Sequence, residues 1–197
     1  MRPIKYYPKE IAFRATKYLL VLMTGAPKWH IATTYNKDYS AAVISYLNNC
    51  LNKNSSVAEI GCGTCDILRP LECSHKIGYD SDPRVLKAAS ILNAVLFEKI
   101  RLYQFDFTNN QSQIKWNFDV VILINWTHEV DSNILKNGLI TILNQINDGG
   151  IIVIDSVKSK DYKFNHNIET LFNGEDVVID TIFSNKVRDI YSVTPVR

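Results

Sequence analysis

Val57-Ala58-Glu59-Ile60-Gly61-Cys62-Gly63-Thr64-Cys65 is the stretch whose reading decides the fold. An apolar run ends in two glycines one residue apart, the pattern of a buried strand entering a tight turn with a helix to follow. Glycine at 61 and 63 lets the backbone turn sharply and puts no side chain between the loop and a ligand. Glu59 is out of place in an apolar strand unless a polar partner sits at the strand end. A nucleotide-like ligand held at a glycine turn accounts for all three features.

Outward from this stretch the chain alternates. Strands are predicted over 56–60, 76–79, 100–105, 118–124 and 150–155, with helices over 66–73, 83–97 and 133–147 and a short turn near 110–114. Asp82 and Pro83 read as the cap and first turn of the middle helix. Val120–Ile124 and Ile151–Ile154 are continuous apolar runs, as expected of strands covered on both faces. Alternation of this kind implies a doubly wound, mostly parallel α/β sheet. Residues 176–183 and 187–193 are β-rich and joined by Ser184-Asn185-Lys186, which predicts a C-terminal antiparallel hairpin and a seven-stranded sheet in all.

Before the first strand, residues 1–55 are expected to form an N-terminal helical cap on a core of 56–197, in a single domain. Helices are predicted over 10–23, ended by Gly25-Ala26-Pro27, and over 37–51. Arg2, Lys5, Lys9, Arg14, Lys17 and Lys28 face one acid, Glu10, in this region. A basic amphipathic helix can lie on an anionic membrane surface as a peripheral contact; the preferred reading is a helix that packs over a substrate pocket. At 197 residues, 46% hydrophobic and 21% charged, the chain reads as a soluble domain large enough for a core. A net charge of +2 gives no footprint for nucleic acid, and no apolar run is long enough for a membrane span. No signal-peptide pattern precedes the first helix, so a cytoplasmic location is expected. Cys62 and Cys65 form an isolated C-x-x-C inside the glycine turn, without a second pair, and are read as loop residues rather than metal ligands.

Three acids fall at comparable places: Glu59 in the first strand, Asp80 ending the second and Asp106 just after the third. Open parallel sheets bind ligands beyond the carboxyl ends of their strands. Asp80 lies 19 residues past Gly61, the distance at which an acid meets ribose hydroxyls in dinucleotide folds. A dinucleotide fingerprint wants a third glycine at 66, where this chain has Asp66, a side chain that would repel a pyrophosphate. A cofactor with ribose hydroxyls and no phosphate fits better.

Over residues 56–196 the sequence resembles the class I, Rossmann-like S-adenosylmethionine-dependent methyltransferases. Val57–Cys65 resembles their first motif, with Cys65 in place of a third glycine. Ile77–Asp82 resembles the second, Phe105-Asp106-Phe107 the third and Phe118–Trp126 the fourth. The resemblance implies S-adenosyl-L-methionine as cofactor, held by Glu59, Gly61, Cys62, Gly63, Asp80, Ser81, Asp106, Phe107 and Asn125. Glu59 would meet the ammonium end, Asp80 the ribose and Asp106 the adenine amine. It implies methyl transfer as the activity, with no metal.

His128 is the candidate general base, because imidazole titrates near neutrality; a histidine that only shapes the pocket is the other reading. His30, Tyr35, Trp126 and His166 are candidate substrate contacts, His166 alongside Lys158, Lys160 and Lys163, which equally read as a solvated loop. Asn125-Trp126-Thr127-His128 lacks the prolines with which amino-methylating DNA enzymes of this fold present a flipped base, and it has no Pro-Cys nucleophile. O-methylation of a small molecule, sugar or glycan intermediate is therefore expected. The rivals are a non-catalytic binding or scaffold protein that docks through its basic N-terminal helix and, more weakly, a dehydrogenase.

Overall fold

A computed structural model gives the fold and describes residues 7–32, 37–109 and 114–197. In chain order the elements are α1 (Tyr7–Thr24), α2 (Asp38–Cys50), β1 (Ser56–Ile60), β2 (His75–Asp80), α3 (Pro83–Val95), β3 (Ile100–Gln104), β4 (Val120–Leu123), α4 (Ser132–Leu143), β5 (Ile151–Val157), α5 (Ile168–Leu171), β6 (Val177–Ser184) and β7 (Arg188–Pro195). The seven strands form one sheet in the order β3-β2-β1-β4-β5-β7-β6. The five strands from β3 to β5 run parallel, whereas β7 is antiparallel to both β5 and β6. Strand order reverses between β1 and β4, which makes the carboxyl ends of these two strands the place for a ligand.

Side chains alternate across the sheet, and both sides are apolar. Ala58, Ile60, Val121, Leu123, Ile152 and Ile154 face a core closed by Leu135, Leu139 and Ile142 of α4. Val57, Val120, Ile122 and Val153 face the opposite core, closed by Val43 and Leu47 of α2. The period of two explains why β4 and β5 read as unbroken hydrophobic runs: neither parity meets water. Glu59 shares its parity with Val57, so it points into the second core, where a carboxylate has no ordinary business.

Two expectations are corrected. Residues 63–70 form consecutive turns and not a helix. Gly61, Gly63 and Cys65 all have φ between 55° and 69°, so no right-handed turn starts there, and Pro70 biases Arg69 away from helix. Ile67, Leu68 and Leu71 are buried all the same. β1 has the range read in the sequence, the other strands differ from theirs by at most two residues at either end, and the short α5 was not anticipated. The expected turn near 110–114 lies almost wholly outside the described residues. Asp82 caps α3 as expected, its carboxylate accepting from the Arg84 amide, with Pro83 in the first turn.

α1 lies on α3: Leu20 packs with Ala88 and Leu92, and Val21 with Val85. An ion pair joins it to the glycine loop. Lys17 has no exposed side-chain surface and donates both to Asp66 (2.6 Å) and to the Ala32 carbonyl (2.8 Å).

Candidate cofactor and substrate site

A cavity of about 480 Å³ opens at the carboxyl ends of β1, β2 and β4. The glycine loop forms its floor. After β1, the Cys62 amide donates to the Tyr79 carbonyl of β2 (2.9 Å), which ties the loop to the neighbouring strand. The Gly63 amide donates to Asp80 Oδ2 (3.0 Å), and Asp80 Oδ1 accepts from the Asp82 amide (3.0 Å). Each oxygen of Asp80 therefore keeps acceptor capacity. Burial raises the Asp80 carboxyl above its usual range, and these amides pull it back down.

Glu59 is the anomaly of the site. It is 4% exposed and lines the cavity, and the Leu68 amide donates to its carboxylate, yet Oε2 has no hydrogen-bond partner among the described residues. Burial raises its pKa well above the ordinary 4.5, and nearby Cys65 and Asp66 push the same way. A buried carboxylate oxygen left unpaired at a cavity wall is a vacancy for a donor, best of all a cationic one.

Asp106 also lines the cavity, but its loop engages it. Thr108 donates to Oδ1 from both amide and hydroxyl (2.9 and 2.6 Å), and Asn109 donates to Oδ2 (2.6 Å); these bonds lower its pKa. Phe107 is buried beside it and meets the Trp126 ring edge-on, with centroids 5.1 Å apart. Trp126 lies across the glycine turn, and its indole N–H donates to the Ile60 carbonyl (2.6 Å). A Cβ at Gly61 would come within 2.3 Å of that indole, and one at Gly63 within 3.0 Å of the His30 ring. The room the glycines leave is thus taken by Trp126 and His30, not by open space.

Behind the loop stands a group of residues that sequence reading missed. Asp155, at the end of the β5 apolar run, is fully buried and pairs with Arg188 of β7. Its Oδ2 accepts from the Asn125 amide (3.0 Å), and its Oδ1 from the Thr127 hydroxyl (2.9 Å). Arg188 donates onward to the Asn125 side chain (2.8 Å) and lies over the Tyr39 ring. Asn125 has φ 73°, a left-handed backbone that this network holds in place. The signal was an aspartate after four apolar residues, which needs a buried partner; the partner lies 33 residues away and could not be named.

Of the predicted residues, Glu59, Gly61, Cys62, Gly63, Asp80, Ser81, Asp106, Phe107, Asn125, Trp126 and His30 all line this one cavity. Trp29, Lys37, Tyr39 and Glu129 line it too and were not anticipated. Tyr35 lies outside the described residues. His128 is buried against Tyr162 (ring centroids 4.4 Å apart) and is not among the residues that line this cavity. Burial lowers its pKa, and its Nδ1 has no partner among the described residues. His166 lies apart from this cavity and lines a smaller one with Asn167, Ile168 and Tyr191. Its Nε2 donates to the Thr127 carbonyl (3.0 Å), and its Nδ1 meets the Ser132 hydroxyl (3.2 Å), so it braces the turn that carries His128. Lys158 is engaged by Asp189 (2.6 Å). His30, by contrast, is a cavity residue whose pKa burial and neighbouring Lys37 and Lys17 bring down to about 4, so the ring is neutral at pH 7.

No family model and no curated protein matches the chain, but solved structures do. One is a S-adenosylmethionine-dependent methyltransferase from Clostridium acetobutylicum, 18% identical, covering 81% of this chain and 91% of that one with a TM-score of 0.63. Another is the magnesium protoporphyrin IX methyltransferase of Synechocystis with bound SAM, 14% identical, covering 81% and 79% with a TM-score of 0.66. The chain has the fold of the S-adenosylmethionine-dependent methyltransferases. A TehB-like SAM-dependent methyltransferase of Corynebacterium glutamicum is similar as well, at 14% identity, 78% and 87% coverage and a TM-score of 0.61. The methyltransferase fold supplies the architecture. What the site binds is argued from its own residues.

Proposed function

We propose that the protein is a S-adenosylmethionine-dependent methyltransferase acting on the hydroxyl of a small molecule, sugar or glycan intermediate. The observation that carries this reading is the orphaned Glu59 Oε2, buried at the wall of a cavity that also gathers Asp80 and Asp106. Three carboxylates at successive strand ends suit a ligand with a cationic amine, a vicinal diol and an aromatic amine, and they disfavour a phosphate. The fit is chemical: Glu59 offers a charge-assisted bond to an ammonium, Asp80 retains acceptor capacity for hydroxyls, and Phe107 gives a flat apolar wall.

The cofactor when bound supplies an electrophilic methyl carbon on a sulfonium. A methyl passing from the sulfonium sulfur to an acceptor oxygen would leave the thioether behind, and the acceptor's proton would need a base or water to receive it. The protein's part is to align and to exclude water. Asn125 and Trp126 border the far end of the loop, the first fixed by Asp155 and Arg188 and the second by the Ile60 carbonyl. Neutral His30 can accept a hydrogen bond from an incoming hydroxyl, and the exposed Glu129 at the rim can take its proton to solvent. His128, away from the lining, supports the turn and takes no proton in this reading.

Isothermal titration with S-adenosylhomocysteine tests the proposal. Micromolar binding that NAD does not reproduce is the expected result. Absence of binding at high micromolar concentration overturns it in favour of a non-catalytic protein of the same fold.

A further inference from the structure

Among the described residues, the outer face of α1 is apolar and uncovered. Ile11, Tyr18, Leu19, Leu22 and Met23 recur at helical spacing on one side of the helix, and all are exposed, Met23 at 73%. The inner side, with Lys17, Leu20 and Val21, is buried against α3 and the loop. Beyond the helix, in a single turn of 3₁₀ helix, Trp29 is 70% exposed. A run of large apolar side chains exposed together on one helix face marks an interaction surface.

Charge says what covers it. The first thirty residues hold six bases and one acid, although the whole chain is only +2, so the rest is net negative. Of these bases Lys17 is spent on Asp66. Arg14 and Lys28 are exposed and have no carboxylate partner among the described residues. A second copy of this chain would bring the same positive region against itself. An apolar stripe flanked by unpaired bases, with a tryptophan at its end, matches an anionic lipid surface.

We infer that α1 and Trp29 dock the protein on the surface of an anionic phospholipid bilayer, with the cavity rim at the interface. α1 continues into the 3₁₀ turn that lines the cavity with Trp29 and His30, and Lys17 fixes the helix to the glycine loop. Docking therefore leaves one edge of the cavity beside the headgroups. On the methyltransferase reading above, the acceptor is then an amphiphile that reaches the cavity from the membrane surface.

The experiment is co-sedimentation of the full chain with vesicles of phosphatidylglycerol and phosphatidylcholine in equal parts, against phosphatidylcholine alone, with tryptophan emission followed in parallel. Binding to the anionic vesicles, weakened by salt, with a blue shift that Trp29→Phe removes, is expected. Leu19→Ser/Leu22→Ser lowers the partition coefficient on the order of 50-fold, from the methylenes withdrawn from the interface. Arg14→Gln/Lys28→Gln lowers it about 30-fold on anionic vesicles only. Both pairs replace exposed side chains, so an unchanged melting temperature and unchanged S-adenosylhomocysteine affinity separate this result from misfolding and from failure of the cofactor reading. The inference is overturned if the wild type ignores anionic vesicles, if the leucine pair binds as well as the wild type, or if the same leucines instead hold a dimer together in solution.

Discussion

Glu59→Gln should make the empty protein more stable and the loaded protein weaker. Oε2 lies buried without a partner among the described residues, a condition that costs roughly 1–3 kcal/mol for a polar group and more for an ionised one. The amide keeps the shape and an oxygen for the Leu68 N–H, and it removes the charge. A gain of about 1 kcal/mol at pH 7 corresponds to a rise in melting temperature of about 2–4 °C for a chain of this size. The pH dependence gives the sign independently. Burial raises the Glu59 pKa above 4.5, so the folded protein holds its proton more tightly than the unfolded chain does. Its favourable contribution is complete below pH 4.5 and is lost as pH rises through the folded value. The stability difference between Gln and Glu should therefore vanish below pH 4.5 and grow above it. Binding should go the other way. A charge-assisted hydrogen bond to an ammonium is worth about 1.5–3 kcal/mol, so the Kd for S-adenosylhomocysteine should rise about 10- to 100-fold. Thermal melts across pH, with and without ligand, read both effects. A Glu59→Gln protein that binds with wild-type affinity would falsify the assignment of this oxygen to the cofactor amine.

Acid should act on His30 in the opposite sense: its pKa is lowered to about 4, so the stability it lends is present above pH 6.5 and lost towards pH 4, by about 3 kcal/mol. Urea titrations at pH 7 and 4.5 should show that loss in the wild type and a flatter profile in His30→Gln. The Lys17–Asp66 pair should respond unequally to its two halves. Asp66→Asn strands a buried ammonium and should cost about 3 kcal/mol, whereas Lys17→Met replaces it with an apolar chain of similar length and should be close to neutral by urea denaturation. Arg188→Met leaves Asp155 buried and unpaired and should cost about 3–5 kcal/mol, with a loss of ligand affinity as Asn125 loses its side-chain partner. His128→Ala should leave the Kd for S-adenosylhomocysteine unchanged in the same titration, because the ring does not line the cavity.

The parts of this fold that were legible in the sequence are those dictated by local chemistry. β1, the Asp82 cap and the apolar runs of β4 and β5 follow from spacing and burial alone, and the acids at 59, 80 and 106 fall at strand ends because the strands do. The segment after the glycine loop was misread because its composition suits a helix, while three left-handed residues and Pro70 decide the backbone. His128 reads as a candidate base because imidazole titrates near neutrality, whereas on the 3₁₀ turn at 127–129 it is Glu129, and not His128, that lines the cavity. Asp155 and Arg188 were invisible as a pair for a plainer reason: their partnership depends on the antiparallel β5–β7 register, in which Asp155 faces Ile190 and Val157 faces Arg188. Sequence reading can say that a buried charge needs a partner. Only the sheet says which one.

That pair explains how an irregular residue comes to stand at the centre of the site. Asn125 follows β4 with a left-handed backbone, which costs an ordinary residue on the order of 1 kcal/mol. Nothing in its own neighbourhood along the chain compensates. The compensation comes from β5 and β7: Asp155 accepts its amide and Arg188 takes its side chain, while Tyr39 of α2 covers the guanidinium. The C-terminal hairpin is therefore more than an edge to the sheet. By carrying Arg188 back beside the parallel strands, it turns the end of β4 aside and lays Trp126 across the glycine loop. The carboxylates that recognise a ligand come from the first half of the fold, and the shape in which they meet it is set by the last strand.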